Sequence, residues 1–225
     1  MTGRLDAEYY QPKYEEIENS LKNYDNNLKK LSDIAQYIFT GEYSEEYFNM
    51  GDEPNLCYYI RGTDIVSGQV IKDETHCVNP VGFNKFVSKG DLVTGRVGTL
   101  GNFGVVNEEL NGALCSDNIL CFRLPCEYLP DVYSLYFNSP MINELIERLA
   151  RGSVQQRLNQ ETLREIQVPL INHATQLEIS DKVQSSFKLR RQAEDLINSA
   201  VRAVEIAIED GEAAAEEYIK KLKII

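Results

Sequence analysis

The 225-residue sequence is poor in the residues that most often carry catalysis and metal binding. It has two histidines, His76 and His173, and five cysteines, Cys57, Cys77, Cys115, Cys121 and Cys126. No two cysteines form a C-x-x-C pair, which argues against a structural zinc site. His76 and Cys77 are adjacent, but neighbouring residues on a strand point to opposite faces, so they do not make a ligand or nucleophile pair. No Gly-x-Ser-x-Gly elbow, His-Glu-x-x-His or nucleotide-binding motif is present. Nor does any apolar run approach the roughly 20 residues that span a bilayer. Residues Met1 to Asp6 lack the apolar core of a secretory signal, and the cysteine number is odd; both point to reduced thiols and a cytoplasmic protein. These absences leave a non-catalytic protein without metal or cofactor as the expectation.

Basic residues are also scarce. Lys and Arg number 23 against 35 Asp and Glu, a formal net charge of −12 with a pI near 4.7. That balance would ordinarily disfavour a nucleic-acid partner. The acid is unevenly spread, however. Residues 33–75 hold nine acids and two bases, whereas 76–172 and 173–225 each hold ten acids and eight bases. Within Arg148 to Arg164, four arginines (Arg148, Arg151, Arg157, Arg164) accompany a single acid, Glu161. Ser153, Gln155, Gln156, Asn159 and Gln160 lie among them. Arginine with Gln and Asn is the set that reads base edges in the major groove, although an amide-rich loop is equally compatible with this composition.

The pattern of the chain predicts three regions. Tyr10, Tyr14, Ile17, Leu21, Tyr24, Leu28 and Leu31 recur at heptad spacing, predicting a helix over about 12–31 with Pro12 in its first turn. From Leu31 to Leu124 the chain breaks into short extended pieces: 34–39, 57–61, 69–71, 85–87, 92–94, 104–106 and 119–124. Turns such as Thr40-Gly41, Ser67-Gly68, Lys89-Gly90-Asp91 and Asn111-Gly112 separate them. Short helices over 131–138 and 141–149 follow, then a polar stretch over 153–165 and a strand over 166–170. From about Ala174 to Asp210 neither proline nor glycine occurs, predicting one helix of roughly 55 Å. Its apolar seam includes Leu189, Ala193, Leu196, Ile197, Ala200, Val204 and Ile208, and a helix that outruns its own domain needs a partner. The fold class expected is α+β: a compact, mainly antiparallel β-sheet domain over 1–172 with flanking helices, then a long coiled-coil helix over 173–225.

One further feature is a glycine series, Gly95, Gly98, Gly101 and Gly104, between two extended segments. It matches neither a dinucleotide fingerprint nor a P-loop. A glycine turn lets backbone approach a ligand, with Arg96 and Thr99 on it; a plain tight hairpin remains an open alternative.

The order of motifs resembles the specificity subunits of type I restriction–modification systems. The segments that carry the resemblance are Leu5-Asp6-Ala7-Glu8-Tyr9-Tyr10-Gln11-Pro12, Tyr59-Ile60-Arg61-Gly62-Thr63-Asp64-Ile65 and Gly90-Asp91-Leu92-Val93 with Arg96-Val97-Gly98-Thr99-Leu100-Gly101. Ser116-Asp117-Asn118-Ile119, Tyr133 to Ser139, Gly152-Ser153-Val154-Gln155-Gln156 and Ile166-Gln167-Val168-Pro169-Leu170 continue it. The resemblance implies a non-catalytic target recognition domain that reads double-stranded DNA. Its partners would be methyltransferase subunits and a restriction subunit. Such proteins usually carry two recognition domains, whereas this chain carries one and looks like a half-subunit or a piece of a longer protein. The unpartnered helix then predicts a homodimer on a symmetric, bipartite site. Base-reading residues are expected on turns: Thr40, Gly41, Tyr43, Arg61, Arg96, Gly98, Thr99, Gly101, Arg151, Ser153, Gln155, Gln156 and Arg157. The competing reading is an acidic protein-interaction module or a DNA mimic acting on a DNA-modification enzyme. A weaker one is a nucleotide-binding enzyme using the glycine turn.

Overall fold

The structure, a computed structural model, describes residues 7–24, 28–97, 100–149 and 157–222. The chain divides into two compact units, Met1–Leu177 and Glu178–Ile225. No helix among the described residues is long and apolar enough to cross a membrane.

The first unit opens with a 3-10 turn, Ala7–Tyr10, and helix α1, Pro12–Lys22. Pro12 occupies a first-turn position, where its missing N–H costs nothing. The helix expected over about 12–31 therefore stops at Lys22. Asn23 closes it, its backbone N–H donating to the Asn19 carbonyl in the last turn. Leu28 and Leu31 leave the predicted stripe for a tertiary reason. Leu28–Lys30 forms strand β1, paired antiparallel with a strand near residue 168, and Leu31, fully buried, begins the one-turn helix α2, Leu31–Ile34.

The central strands are β2 (Tyr37–Thr40), β3 (Cys57–Ile60), β4 (Ile65–Val66), β5 (Gln69–Val70), β6 (Cys77–Val78), β7 (Leu92–Gly95), β8 (Phe103–Val105), β9 (Leu114–Cys115) and β10 (Ile119–Arg123). Helices α3 (Pro130–Phe137), α4 (Pro140–Leu149) and α5 (Gln160–Arg164) follow, then β11 (Gln167–Pro169), the partner of β1. Six strands form one sheet in the order β2-β10-β7-β8-β5-β4, and β6-β3-β9 form a second. All pairings are antiparallel except β5 with β8 and β3 with β9, the mainly antiparallel α+β arrangement expected. The segment 85–87 makes only one bridge, Phe86 to Leu114. The Glu42 carboxylate accepts the N–H groups of Asn84 and Lys85, both at 3.1 Å, while Val87 donates to the Ala113 carbonyl and accepts from the Gly112 N–H, both at 2.9 Å.

Strand β10 shows why the large sheet is the core. Ile119 and Cys121 pack with Val93, Val106 and Leu110 on one face. Phe122, on the alternate side, meets Phe137 of α3 edge-on, and Phe137 stacks on Phe103 at 4.8 Å between ring centroids. Every residue from Ile119 to Phe122 is fully buried, so the strand reads as a continuous apolar run rather than an alternating one.

One polar knot lies inside this core. Asp91, with no exposure, pairs with Arg123 Nε at 2.8 Å and accepts the Tyr37 hydroxyl at 2.5 Å and the Ser88 N–H at 2.7 Å. Burial, then the hydrogen bond to Asp91, pushes the Tyr37 phenol far above its ordinary pKa. The Gly90-Asp91-Leu92 motif is thus a fastening between β2, β7 and β10. The α6 helix, His173–Glu209, begins in the first unit, where buried Gln176 accepts from the Leu129 N–H and donates to the carbonyls of Glu127 and Ile171.

The second unit contains the rest of α6 and helix α7, Glu212–Lys221. Gly211 separates them with φ 94°, a conformation that only glycine adopts freely. Ala203 of α6 and Ala215 of α7 are both buried, so the two helices pack as a hairpin through small residues.

Candidate nucleic-acid interface

One end of the large sheet gathers five of the turn residues expected to meet DNA. Thr40 closes β2, Arg96 follows β7, and the Ser116–Asn118 turn leads into β10. Pairing places Leu120 opposite both Thr40 and Thr94, and Ile119 opposite Gly95. The Arg96 N–H donates to the Asn118 carbonyl at 2.8 Å, and the Gly41 N–H to the Ile119 carbonyl at 3.0 Å. Ser116 N–H reaches Ile60 at the end of β3, which brings Arg61 to the same end. From the later chain, Leu158 N–H donates to the Arg96 carbonyl at 3.0 Å, and Gln160 Nε2 to the Thr40 hydroxyl at 2.9 Å. Thr40, Gly41, Arg61, Arg96 and Arg157 thus surround one turn although they are spread over more than half of the chain.

Their side chains divide into two groups. The first is turned inward. Arg61 Nη2 binds Asp73 at 2.7 Å and Asp64 at 3.4 Å, while its N–H donates to Asp64 at 2.7 Å. Hydrogen bonds from the Thr75 hydroxyl and N–H, and then the charges of His76 and Arg61, hold the Asp73 carboxyl below its ordinary pKa. Arg96 Nη1 donates to the Asp117 carbonyl at 2.9 Å. In each arginine Nε is buried without a partner among the described residues. Gly41 is buried, and a Cβ there would be driven into the carbonyl oxygens of Cys115 and Ser116. Gly101 has φ 76°, and a Cβ there would strike the Asn143 amide. These glycines serve close packing.

The second group faces outward. Tyr43 is 65% exposed, and Asn84, Asn118 and Arg157 are exposed. Asn118 sits on a tight turn whose Ile119 N–H donates back to the Ser116 carbonyl at 2.9 Å. Together they present amides, one guanidinium and one phenol, groups suited to base edges and the sugar–phosphate backbone. Lys85 reaches the Thr40 carbonyl at 3.1 Å and supplies a partly exposed cation beside them. Asn84, Lys85, Asn118 and Gln160 were not among the residues singled out as DNA-reading from the sequence. For Asn118 and Gln160 a signal existed, in the Ser-Asp-Asn motif and the amide-rich stretch; for Asn84 and Lys85 none did.

The locally basic stretch is partly diverted. Arg148 donates to Glu18 at 2.6 Å and to the Tyr9 carbonyl at 2.8 Å, and its guanidinium lies 4.3 Å over the Tyr9 ring, fastening α4 to the N-terminal segment. Gly98, Thr99, Arg151, Ser153, Gln155 and Gln156 lie outside the described residues. Among the described residues no three His, Cys, Asp or Glu side chains converge as metal ligands.

No family model and no curated protein matches the sequence. Solved structures do. The chain has the fold of type I restriction–modification specificity (S) subunits. The S subunit from M. genitalium aligns over 83% of this chain with a TM-score of 0.54 and 17% identity. The HsdS subunit from Thermoanaerobacter tengcongensis aligns over 96% with a TM-score of 0.53 and 12% identity. A type IIG restriction endonuclease, BpuSI, aligns over 79% of this chain and 28% of its own, with a TM-score of 0.58 and 9% identity. The chain spans about half the length of the S subunits it matches, 45% and 52% respectively.

Proposed function

We propose that this chain is the sequence-specific DNA recognition subunit of a type I restriction–modification complex. It is non-catalytic, directs methyltransferase and restriction subunits to their site, and works as a homodimer on a symmetric bipartite sequence. The observation that carries this reading is the fold: the likeness to S subunits extends over 83% to 96% of the chain while covering only about half of theirs. One recognition unit lies in this chain, and a second copy supplies the other. The outward Tyr43, Asn118 and Arg157 at one end of the sheet support a reading surface there.

The charge supports a subordinate part in a larger assembly. With a net charge of −12 the chain binds DNA weakly and salt-sensitively by itself. Affinity rises when the methyltransferase subunits close around the duplex. Co-expression with a type I methyltransferase subunit from the same host, followed by mapping of methylated adenines, tests the proposal. Methylation confined to one inverted-repeat sequence is expected; absence of any sequence-specific methylation overturns it.

A further inference from the structure

An acid stands among the outward groups at the end of the sheet. Glu42 lies between Gly41 and Tyr43, where a carboxylate would repel the phosphates of a duplex. Its bonds show what it does there. The Asn84 and Lys85 N–H groups converge on a single carboxylate oxygen, Oε2, both at 3.1 Å. The main chain of Glu42 is tied as well. Its N–H donates to the Cys115 carbonyl at 2.9 Å, and its carbonyl accepts the hydroxyl of Tyr59, itself buried, at 2.7 Å. Glu42 thus joins the end of β2 to β3, β9 and the 84–86 segment.

What it joins is the outward set. Tyr43 is the next residue, and Asn84 and Lys85 are the two whose N–H groups it takes. The Lys85 ammonium turns back to the Thr40 carbonyl at 3.1 Å, and the Thr40 hydroxyl receives Gln160. The following residues are tied independently, Val87 to Ala113 and Gly112, and Phe86 to Leu114. Removing the acceptor at position 42 therefore releases the backbone at Asn84 and Lys85 and leaves those ties in place.

We propose that Glu42 is a positioning residue for DNA recognition: its carboxylate oxygen sets Asn84 and Lys85 beside Tyr43 as one reading patch, and its charge takes no part. Because one oxygen accepts both bonds, an amide oxygen can replace it. The opposite role, accepting from a cytosine amino group, is the one acids take at base edges; here Oε2 is already given to two backbone donors. The proposal rests on the DNA-recognition reading above and specifies one of its surfaces.

The test uses the full chain purified with a type I methyltransferase subunit from the same host. The probes are a duplex carrying the sequence that the wild-type complex methylates and a duplex with that sequence scrambled. In Glu42→Ala, preference for the first over the second is expected to fall by about tenfold or more, and amide exchange at Asn84 and Lys85 to accelerate. Glu42→Gln should restore both and, with one negative charge fewer, bind either duplex at least as tightly. Asn84→Ala/Lys85→Ala keeps the backbone donors and should lose preference by a similar factor. Undiminished preference in Glu42→Ala or in the double variant overturns the proposal, the latter whatever the stability of Glu42→Ala. Methylation of a different sequence by the Glu42→Gln complex makes Glu42 itself a base reader and overturns it too. Each of these results leaves the DNA-recognition reading standing. A wild-type complex that methylates no specific sequence overturns that reading and the patch with it.

Discussion

The two units of this chain break the ordinary rule of polarity in opposite directions. In the first, Arg61 and Arg96, expected on DNA-reading turns, are turned onto Asp64 and Asp73 and onto the Asp117 carbonyl, and Arg148 of the basic stretch pairs with Glu18. In the second, Ile197, Val201, Val204 and Ile208 stand in solvent. The contrast assigns different work to each. Inward arginines hold the loops at one end of the sheet in shape, while the outward aliphatics leave apolar surface in solvent. Which residues a unit leaves uncommitted is therefore a better guide to its binding chemistry than which residues it contains.

Substitutions should sharpen this contrast unequally. The largest effect is expected at Asp91, where alanine leaves Arg123 facing an empty carboxylate site and costs about 3–5 kcal/mol. A urea titration of Asp91→Ala should show the loss in full, and Asp91→Asn should recover part of it. Gly41→Ala follows, at about 1–3 kcal/mol, because the Cys115–Asn118 turn must move to admit the methyl group. Asn118→Ala and Arg157→Ala should change stability by less than about 0.5 kcal/mol. Both should weaken DNA binding within the methyltransferase complex; the arginine variant should also lower the salt slope by about 1 if it meets a phosphate. A fall in stability without a change in DNA binding would exchange the roles given to the inward and outward groups.

The smallest effect is on pH. Asp73 has a folded pKa depressed below its ordinary 3.8, so its contribution is complete above that value and fades as pH falls through the lower folded one. Limited proteolysis of the 71–76 loop should therefore accelerate on acidification below about pH 4, and Asp73→Asn should remove that dependence. A similar comparison holds for the thiols. Burial raises the Cys115 and Cys121 pKa values strongly and that of Cys57 to about 11, whereas Cys126 is exposed. A disulfide exchange reagent at neutral pH should modify one thiol rapidly, Cys126, and the others only on unfolding.

Much of this architecture could be read from residue pattern. Helix α6, the break at Gly211, α3 and α4 with their first-turn prolines, and the hairpin-rich centre all follow from spacing and turn chemistry. What escaped depended on contacts far apart in sequence. Leu28 and Leu31 fit a helical stripe, yet pairing of β1 with β11 across some 140 residues claims Leu28, and Leu31 is buried at the start of α2. Beside the segment expected as a strand over 85–87, a carboxylate from residue 42 accepts two backbone N–H groups. Helix α5 is capped by Asn159, whose side chain accepts the Thr162 N–H, but the amide-rich context concealed that signal. The convergence of Thr40, Gly41, Arg61, Arg96 and Arg157 on one sheet end is a property of topology. Whether an arginine faces out or in depends on an acceptor such as Asp73, twelve residues away from Arg61.

The central claim is that one chain of this fold, taken twice, gives a methyltransferase its target. Its most direct test is single-molecule sequencing of DNA from cells expressing this chain with a type I methyltransferase subunit from the same host. The account predicts methylated adenines in a single bipartite sequence whose halves are inverted copies. Methylation of two unlike half-sites, or none attributable to the chain, would contradict it.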